Sequence, residues 1–230
     1  MKRFYREVSV AEVEGGFGVL LDGRALRTPA KRGLVLPYLA PAEALAAEWA
    51  AQDGEIRPAT MPLMKLVSTA LDLVADKHAA VAEEAANYAK SDLLCYRADH
   101  PPELIDRQAR LWQPLLDWAA LRFDAPLRVT AGILPVSQPP DSLKALRHAL
   151  DGLEPLVLTP VADLTAVTGS LILALALWDG EIDAAGAFAA ATLDEAFQIE
   201  RWGEDAELTA RLDRQRRDLD AAARLLALLD

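Results

Sequence analysis

The stretch Gly15-Gly16-Phe17-Gly18-Val19-Leu20-Leu21-Asp22-Gly23 places a short apolar run between two glycine-containing dipeptides. Gly-Gly and Asp-Gly favour tight hairpin turns, because glycine adopts the positive φ angles that such turns need. The run itself, and Val8 and Val10 shortly before it, are typical of β-strands. These features predict antiparallel strands at the start of the chain.

The sequence on either side extends this prediction to a fold class. Two further short strands are expected at Arg24–Thr28 and Leu34–Leu36, and Ile56–Pro62, with two prolines, indicates a linker. Four short strands bury too little apolar surface to be stable alone, so the sheet should pack on the first helix. We therefore predict an α+β protein, with a small N-terminal antiparallel β domain that includes one helix (residues 1–60) and a larger multihelical C-terminal domain (residues 61–230).

The composition indicates a folded protein with an uneven charge. Of the 230 residues, 52% are hydrophobic and 26% are charged, which is typical of a globular chain. The net charge of −11 argues against a general nucleic-acid binder, which needs a basic face. Residues 1–33 nevertheless carry a local charge of +3. This asymmetry suggests two units with different surfaces.

The most apolar run, Leu164–Trp178, lies between two aspartates. It is shorter than the roughly 20 residues that a membrane-spanning helix needs. We expect one buried core helix that begins at Thr159 or Pro160 and ends at Gly180, with Thr168-Gly169-Ser170 inside it to allow close packing. The first residues have neither a signal core nor an amphipathic leader, which predicts a soluble cytoplasmic protein without membrane insertion.

Motifs for catalysis, metals and cofactors are weak. The three histidines lie far apart in the sequence, and no nucleophile elbow, phosphate loop or His-Glu-x-x-His pair occurs. Cys95, between Leu94 and Tyr96, fits a packed and inert thiol. The sequence therefore predicts no catalytic residue, no metal site and no cofactor.

The segment Leu193–Gly203 has the highest concentration of charged, polar and aromatic side chains in the chain. It contains three acids, an amide, an arginine and two aromatic residues. We expect Asp183 to cap the helix that carries it. At 3.6 residues per turn, Glu200 falls on the apolar face with Leu193 and Phe197. A carboxylate there should be paired with a basic group inside the fold or reserved for an outside contact. We favour internal pairing for Glu200, which leaves Glu195 as the better outward contact, and the last helix offers arginines as counter-ions.

Several stretches together resemble one known family. They include Arg3-Phe4-Tyr5, Leu21-Asp22-Gly23-Arg24, Met61-Pro62-Leu63, Gln108–Trp118 and, above all, Leu193–Gly203. In this order they are similar to the chaperone that assembles the catalytic sector of the F-type ATP synthase by binding its alpha subunit. The similarity extends over nearly the whole chain.

The resemblance implies a non-enzymatic assembly factor that holds the free alpha subunit and shields the surface that later meets the beta subunit. It also implies that an acidic residue in the helical domain is important, and Glu195 and Glu200 are the two candidates. We predict a partner-binding surface on this segment. Its candidate residues are Glu195, Gln198, Glu200, Arg201 and Trp202.

Two alternatives are compatible with the residues alone. A carboxylate-dependent hydrolase could use Asp194 or Glu195 together with Glu200 as acid and base. Such an enzyme would hold both carboxylates in one concave pocket. A scaffold for another oligomeric protein would need only an exposed binding surface.

Overall fold

The computed structural model describes residues 1–132 and 134–230. The predicted α+β class is confirmed, because a small N-terminal antiparallel sheet precedes a larger helical region. The chain divides into two compact units. Unit 1 comprises Met1–His78, Glu154–Pro160 and Arg224–Asp230, and unit 2 comprises Ala79–Leu153 and Val161–Ala223. These units describe how the chain packs and do not show which segments fold independently. The predicted domain boundary between residues 60 and 61 therefore stays a prediction.

The sheet of unit 1 is built around its second strand. Strand β2 (Gly16–Leu21) pairs along its whole length with β1 (Val8–Val13) in antiparallel register. Its other edge pairs with β3 (Arg24–Ala25) near one end and with β4 (Val35–Leu36) near the other. The predicted strands therefore exist, although the last two are shorter than expected.

Both glycine-containing dipeptides act at the ends of β2. Asp22 and Gly23 have φ angles of 49° and 74°, which form the two-residue turn to β3. Gly16 has φ 146°, and a Cβ there would lie 2.1 Å from the carbonyl oxygen of Leu36. Only glycine allows this close approach between β2 and β4.

The helices of unit 1 are joined by a buried carboxylate. Helix α1 (Leu39–Ala50) carries Glu48, whose two carboxylate oxygens accept hydrogen bonds from the N–H groups of Leu63 and Met64 at 2.8 and 2.9 Å. These groups open α2 (Pro62–Thr69), where no intrahelical acceptor is available. Burial raises the pKa of Glu48, while the two N–H groups and Arg224 act in the opposite direction. Glu48 thus caps the next helix across the core.

The remaining elements follow α2 in chain order. A π-helical turn (Ala70–Val74) leads into α3 (Ala75–Asn87), and 3₁₀ turns at Tyr88–Ser91 and Leu93–Cys95 follow it. Short strands β5 (Tyr96–Arg97) and β6 (Thr130–Ala131) pair in parallel. The other helices are α4 (Pro102–Phe123), α5 (Pro140–Asp151), α6 (Pro155–Thr168), α7 (Leu171–Trp178), α8 (Ala184–Ala191), α9 (Leu193–Trp202) and α10 (Ala206–Leu229).

The apolar run is two helices, so the expectation of one continuous helix from Thr159 or Pro160 to Gly180 was wrong. The chain breaks at Gly169, which has φ 72°, and Ser170 caps α7 through a 3.0 Å hydrogen bond from the N–H of Leu173. Asp92, which is fully buried, fixes this break: it accepts hydrogen bonds from the Ser170 hydroxyl at 2.7 Å and from the Ile172 N–H at 3.1 Å. Among the described residues, no helix is long and apolar enough to cross a membrane.

Helix α7 lies in the core of unit 2, with every residue from Leu171 to Ala176 buried. It packs against α4 and α8, and α4 packs in turn against α9. Asp183 caps α8 through the N–H of Gly186 at 2.7 Å, and a separate helix, α9, begins after Thr192. We expected Asp183 to cap the helix that carries Leu193–Gly203. This expectation was wrong, because Asp183 caps the preceding helix, α8.

Candidate functional site

Helix α9 is held in unit 2 by two residues one turn apart. Leu193 and Phe197 are buried, as predicted, and they point toward the same side because four residues complete about one helical turn. The helix ends at Gly203, whose φ of 88° leaves the helical region. Asp194, Glu195 and Ile199 are half-buried, and the remaining residues of α9 are exposed.

Polar contacts also join α4 to α9 and to the preceding helix. The Gln108 side chain donates a 2.8 Å hydrogen bond to the carboxylate of Asp194 in α9, and the Trp112 indole N–H donates to the carbonyl of Ala190 in α8 at 2.9 Å. Burial raises the pKa of Asp194, the Gln108 bond lowers it, and the neighbouring Glu195 raises it further. Asp194 is therefore a structural link between the helices.

Glu200 has a basic partner, but the expectation that the pair lies inside the fold was wrong. One guanidinium nitrogen of Arg107 contacts both carboxylate oxygens, at 2.7 and 2.9 Å. The side chain of Glu200 is 55% exposed and that of Arg107 is 41% exposed. Glu200 lies one turn after the buried Phe197, as the periodicity predicted, but it meets α4 through the exposed side chain of Arg107 and is not covered by it.

A second ion pair crosses the two helices beside the first. Arg201 contacts Glu103 at 2.5 Å, so basic and acidic residues alternate between α9 and α4. The guanidinium groups of Arg107 and Arg201 also lie 5.2 and 4.7 Å from the ring centre of Phe197. Such cation–π contacts hold both arginines over the buried anchor of α9. Nothing in the sequence links Glu103 or Arg107 to residues almost a hundred positions later.

Glu195 contacts the last helix, and its exposure reverses our expectation. Its carboxylate lies 2.8 Å from the guanidinium of Arg211 in α10, which confirms that the last helix supplies a counter-ion. Only 25% of the Glu195 side chain is exposed, about half the value for Glu200. Of the two acids, Glu200 is the more accessible to a partner.

The outward surface of α9 ends in an exposed aromatic side chain. Trp202 is 77% exposed, and Gln198, one turn earlier, is exposed as well. Large aromatic side chains are enriched at the centre of protein–protein interfaces. We use the name α9 surface for the residues Glu195, Gln198, Glu200, Arg201 and Trp202. At about 100° per residue, Glu195, Gln198 and Trp202 point away from Phe197, whereas Glu200 and Arg201 flank Phe197 beside α4.

The structure also reveals an acid that the sequence reasoning missed. Asp92 is fully buried, and desolvation raises its pKa to about 6 against the opposing effect of its hydrogen bonds with Ser170, Ile172 and Leu94. Burial likewise raises the pKa of the Cys95 thiol to about 12, which keeps it protonated and packed. Within the described part of the chain, no group of three or more His, Cys, Asp or Glu residues could hold a metal ion.

Comparison with known proteins identifies the family. The family model described as ATP12 chaperone protein matches residues 2–120. This chain belongs to the ATP12 chaperone family. The matched residues cover the sheet, α1 to α3 and most of α4, whereas α9 lies beyond them.

Similarity to solved ATP12 structures extends over the full chain. The crystal structure of Atp12 from Paracoccus denitrificans is 44% identical, with a TM-score of 0.94 over 100% of this chain and 98% of the other. A putative chaperone from Agrobacterium tumefaciens is 43% identical, with the same TM-score over 100% of this chain and 86% of the other. The mitochondrial atp12 protein of Schizosaccharomyces pombe is 23% identical over 214 residues, which cover 88% of this chain and 74% of the relative. The ATP12 fold therefore includes α9.

Proposed function

We propose that this ATP12 family member is an assembly chaperone of the proton-transporting F-type ATP synthase. In this role it binds the free alpha subunit and shields the surface that later contacts the beta subunit. Family membership, with a 44% identical structure that matches the whole chain, is the observation that carries the proposal. The choice of the alpha subunit as client follows from the sequence resemblance of Leu193–Gly203 and the other segments quoted above.

The α9 surface is the part of unit 2 that we propose to contact the client. It has an exposed Trp202 on the side that faces away from Phe197, and the Glu200–Arg107 and Arg201–Glu103 pairs at its margin with α4. An exposed aromatic side chain together with charged side chains suits a client surface that is itself an exposed subunit interface. The overall charge of −11 favours a protein client over a nucleic acid, and it would accelerate encounter with a basic client surface.

We propose that the protein acts without catalysis and without a cofactor. The alternative of a carboxylate-dependent hydrolase requires two acids that converge on one reacting group. Glu195 is instead paired with Arg211 of α10, and Glu200 with Arg107 of α4. These two contacts direct the acids to different helices, which favours a binding role for both.

The bacterial cytoplasm is the compartment that we propose. The solved relatives at 44% and 43% identity come from bacteria, whereas the mitochondrial relative is only 23% identical. Cell fractionation followed by detection of the tagged protein tests the compartment, and recovery in the membrane pellet would contradict it.

Light scattering by the isolated alpha subunit tests the proposed function. Free alpha subunit should aggregate on warming, and an equimolar amount of this protein should suppress the aggregation without added nucleotide. Unchanged aggregation would contradict the proposal.

A pull-down from native lysate separates an ATP synthase chaperone from a scaffold, because a scaffold would enrich a different oligomeric protein.

A further inference from the structure

Unit 1 contains an apolar groove that the proposed function does not use. It has a volume of about 460 Å³ and lies between the Arg27-Thr28-Pro29 segment, Trp49 of α1 and the outer side of α2. We call it the unit 1 groove. Its volume is within the range of roughly 300–1,000 Å³ in which pockets enclose a ligand.

The groove walls are fixed by polar contacts behind them. Asp72, in the π-helical turn, accepts a 2.6 Å hydrogen bond from the Thr28 hydroxyl and a 3.0 Å bond from the Ala30 N–H. On the other side, Glu48 holds the start of α2. The π-helical turn is a distortion that is often found at functional sites. These hydrogen bonds fix the shape of the unit 1 groove.

Two buried polar groups at the groove have no partner. The Trp49 indole N–H and the Ser68 hydroxyl both belong to groove-lining residues, and neither has a hydrogen bond within the described part of the chain. Trp49 is 8% exposed and Ser68 is 9% exposed. Native proteins rarely leave such groups unpaired, because each loses its hydrogen bonds with water on burial. A ligand with polar atoms along its length would satisfy them.

Two methionine side chains near these groups allow the groove to adapt to a bound ligand. Met61 and Met64 line the groove, and methionine has three rotatable bonds and a polarisable sulfur that adapt to different ligands. Since the two polar atoms are shielded from solvent, a ligand reaches them only when lining side chains shift. The methionines allow this shift at low cost.

The rim of the groove is basic. Arg27 and Lys65 line it and are exposed, and residues 1–33 carry a net charge of +3 although the whole chain carries −11. A second pocket of about 580 Å³ shares Arg27 and Trp49 with the groove, and adds Arg24 and the exposed Phe4. The two pockets adjoin at Arg27 and Trp49, and the second is also lined by the acidic Asp22.

From these observations we infer that the unit 1 groove binds an extended peptide segment of a protein partner, with bulky apolar side chains flanked by carboxylates. The apolar side chains fill the groove, the peptide carbonyls accept hydrogen bonds from Trp49 and Ser68, and the carboxylates meet Arg27 and Lys65. A fatty acid matches the apolar wall and the basic rim, but its alkyl chain carries no acceptor for the indole N–H. The choice of a peptide over a free small molecule rests on the proposed chaperone function.

Nuclear magnetic resonance of the full-length protein tests this inference without any ATP synthase subunit. The probe is a blocked Ser-Glu-Leu-Phe-Glu-Ser peptide, and the readout is the indole N–H signal of Trp49, assigned with Trp49→Phe. The signal should shift on titration, because the indole N–H gains an acceptor. A Ser-Lys-Leu-Phe-Lys-Ser peptide should bind more weakly, because its charges oppose the basic rim.

Two lysine variants provide the matched comparison. Lys65→Glu at the groove should weaken binding of the Glu-containing peptide by about fivefold, which is the size of one exposed charge contact. Lys144→Glu, at an exposed lysine of α5 in unit 2, should leave it unchanged. Both lysines are exposed, so both variants should fold, which thermal unfolding verifies.

Three outcomes would overturn the inference. They are no shift of the Trp49 signal at millimolar peptide, equal binding of the Lys-containing peptide, and a shift with dodecanoate but with neither peptide. The last result would assign the groove to a fatty acid. Because the alpha subunit is absent, each of these results leaves the proposed assembly function to its own test.

Discussion

At the scale of single residues, Trp202 is the side chain that we propose as the main contact with a partner. It is 77% exposed at the end of α9, whereas Phe197 of the same helix is buried. Exposed tryptophans are favoured as central contacts of interfaces, because a large aromatic surface loses water when a partner covers it. The exposure of Trp202 is the observation that supports the proposed contact.

Replacement of Trp202 tests this interpretation. Trp202→Ala should weaken binding of the alpha subunit by about thirtyfold, which corresponds to the roughly 2 kcal/mol of a central interface residue. Its melting temperature should stay within the range of the unchanged protein, since little surface is buried at that site. Leu121→Ala, at a leucine of α4 that is 88% exposed, is the control. Equal affinities of all three proteins, measured by titration calorimetry, would remove Trp202 from the proposed surface.

Asp92 differs from Trp202, because it is fully buried and forms its hydrogen bonds inside unit 2. Its pKa is raised to about 6 in the folded protein, whereas a free aspartate has a pKa of 3.8. The folded state therefore holds the proton more tightly than the unfolded state. The contribution of protonated Asp92 to stability is complete below about pH 4 and is lost as the pH rises through about 6.

The pH dependence of urea unfolding measures this contribution. The stability of the unchanged protein relative to Asp92→Asn should fall by up to about 3 kcal/mol between pH 4 and pH 7, because asparagine does not titrate. Asparagine should also destabilise the α7 cap, since one side of its amide cannot accept a hydrogen bond. A stability difference between the two proteins that is constant from pH 4 to pH 7 would contradict the raised pKa.

At the scale of elements, the pair formed by α4 and α9 combines a buried anchor with an exposed ionic edge. Phe197, Gln108 and Asp194 lie in the contact, whereas the Glu200–Arg107 and Arg201–Glu103 pairs lie at its exposed margin. Exposed ion pairs contribute at most about 1 kcal/mol each to stability. The margin can therefore change in sequence at little cost to the fold.

A charge reversal at this margin separates binding from folding. Glu200→Lys should abolish or strongly reduce binding of the alpha subunit and lower the free energy of unfolding by about 1 kcal/mol or less. Glu83→Lys is the matched control, because Glu83 also forms an exposed pair with an arginine, Arg147, at 3.1 Å, on α3. If Glu200→Lys supports binding as well as Glu83→Lys does, Glu200 is not part of the partner surface.

The elements also show which local features could be predicted from the sequence. The turn at Asp22-Gly23 depends on residues next to each other, and it was predicted correctly. The break at Gly169 was missed, because it is fixed by Asp92, which lies 78 residues from Ser170 in the sequence. The exposure of Glu200 was missed for the same reason, since helix periodicity gives the face of a residue but not which side chain of a distant helix lies against it, here the exposed Arg107.

At the scale of the whole molecule, charge and surface chemistry divide between the two units. The segment 1–33, in unit 1, carries +3, whereas the chain as a whole carries −11. The charge of segment 1–33 is a property of the sequence itself, and the α+β class was predicted correctly because it depends on local pattern. The unit 1 groove could not be predicted, because its lining residues, such as Thr28, Trp49 and Met64, meet only in the folded chain.

The proposed function is tested most directly by size-exclusion chromatography with light scattering of this protein mixed with the free alpha subunit. We predict a single peak whose mass equals one copy of each chain, with no nucleotide added. We also predict that the beta subunit releases this protein from the complex, because both would cover the same surface of alpha. Separate elution of the two proteins at micromolar concentration would contradict the proposal that this ATP12 family member is a chaperone of the alpha subunit.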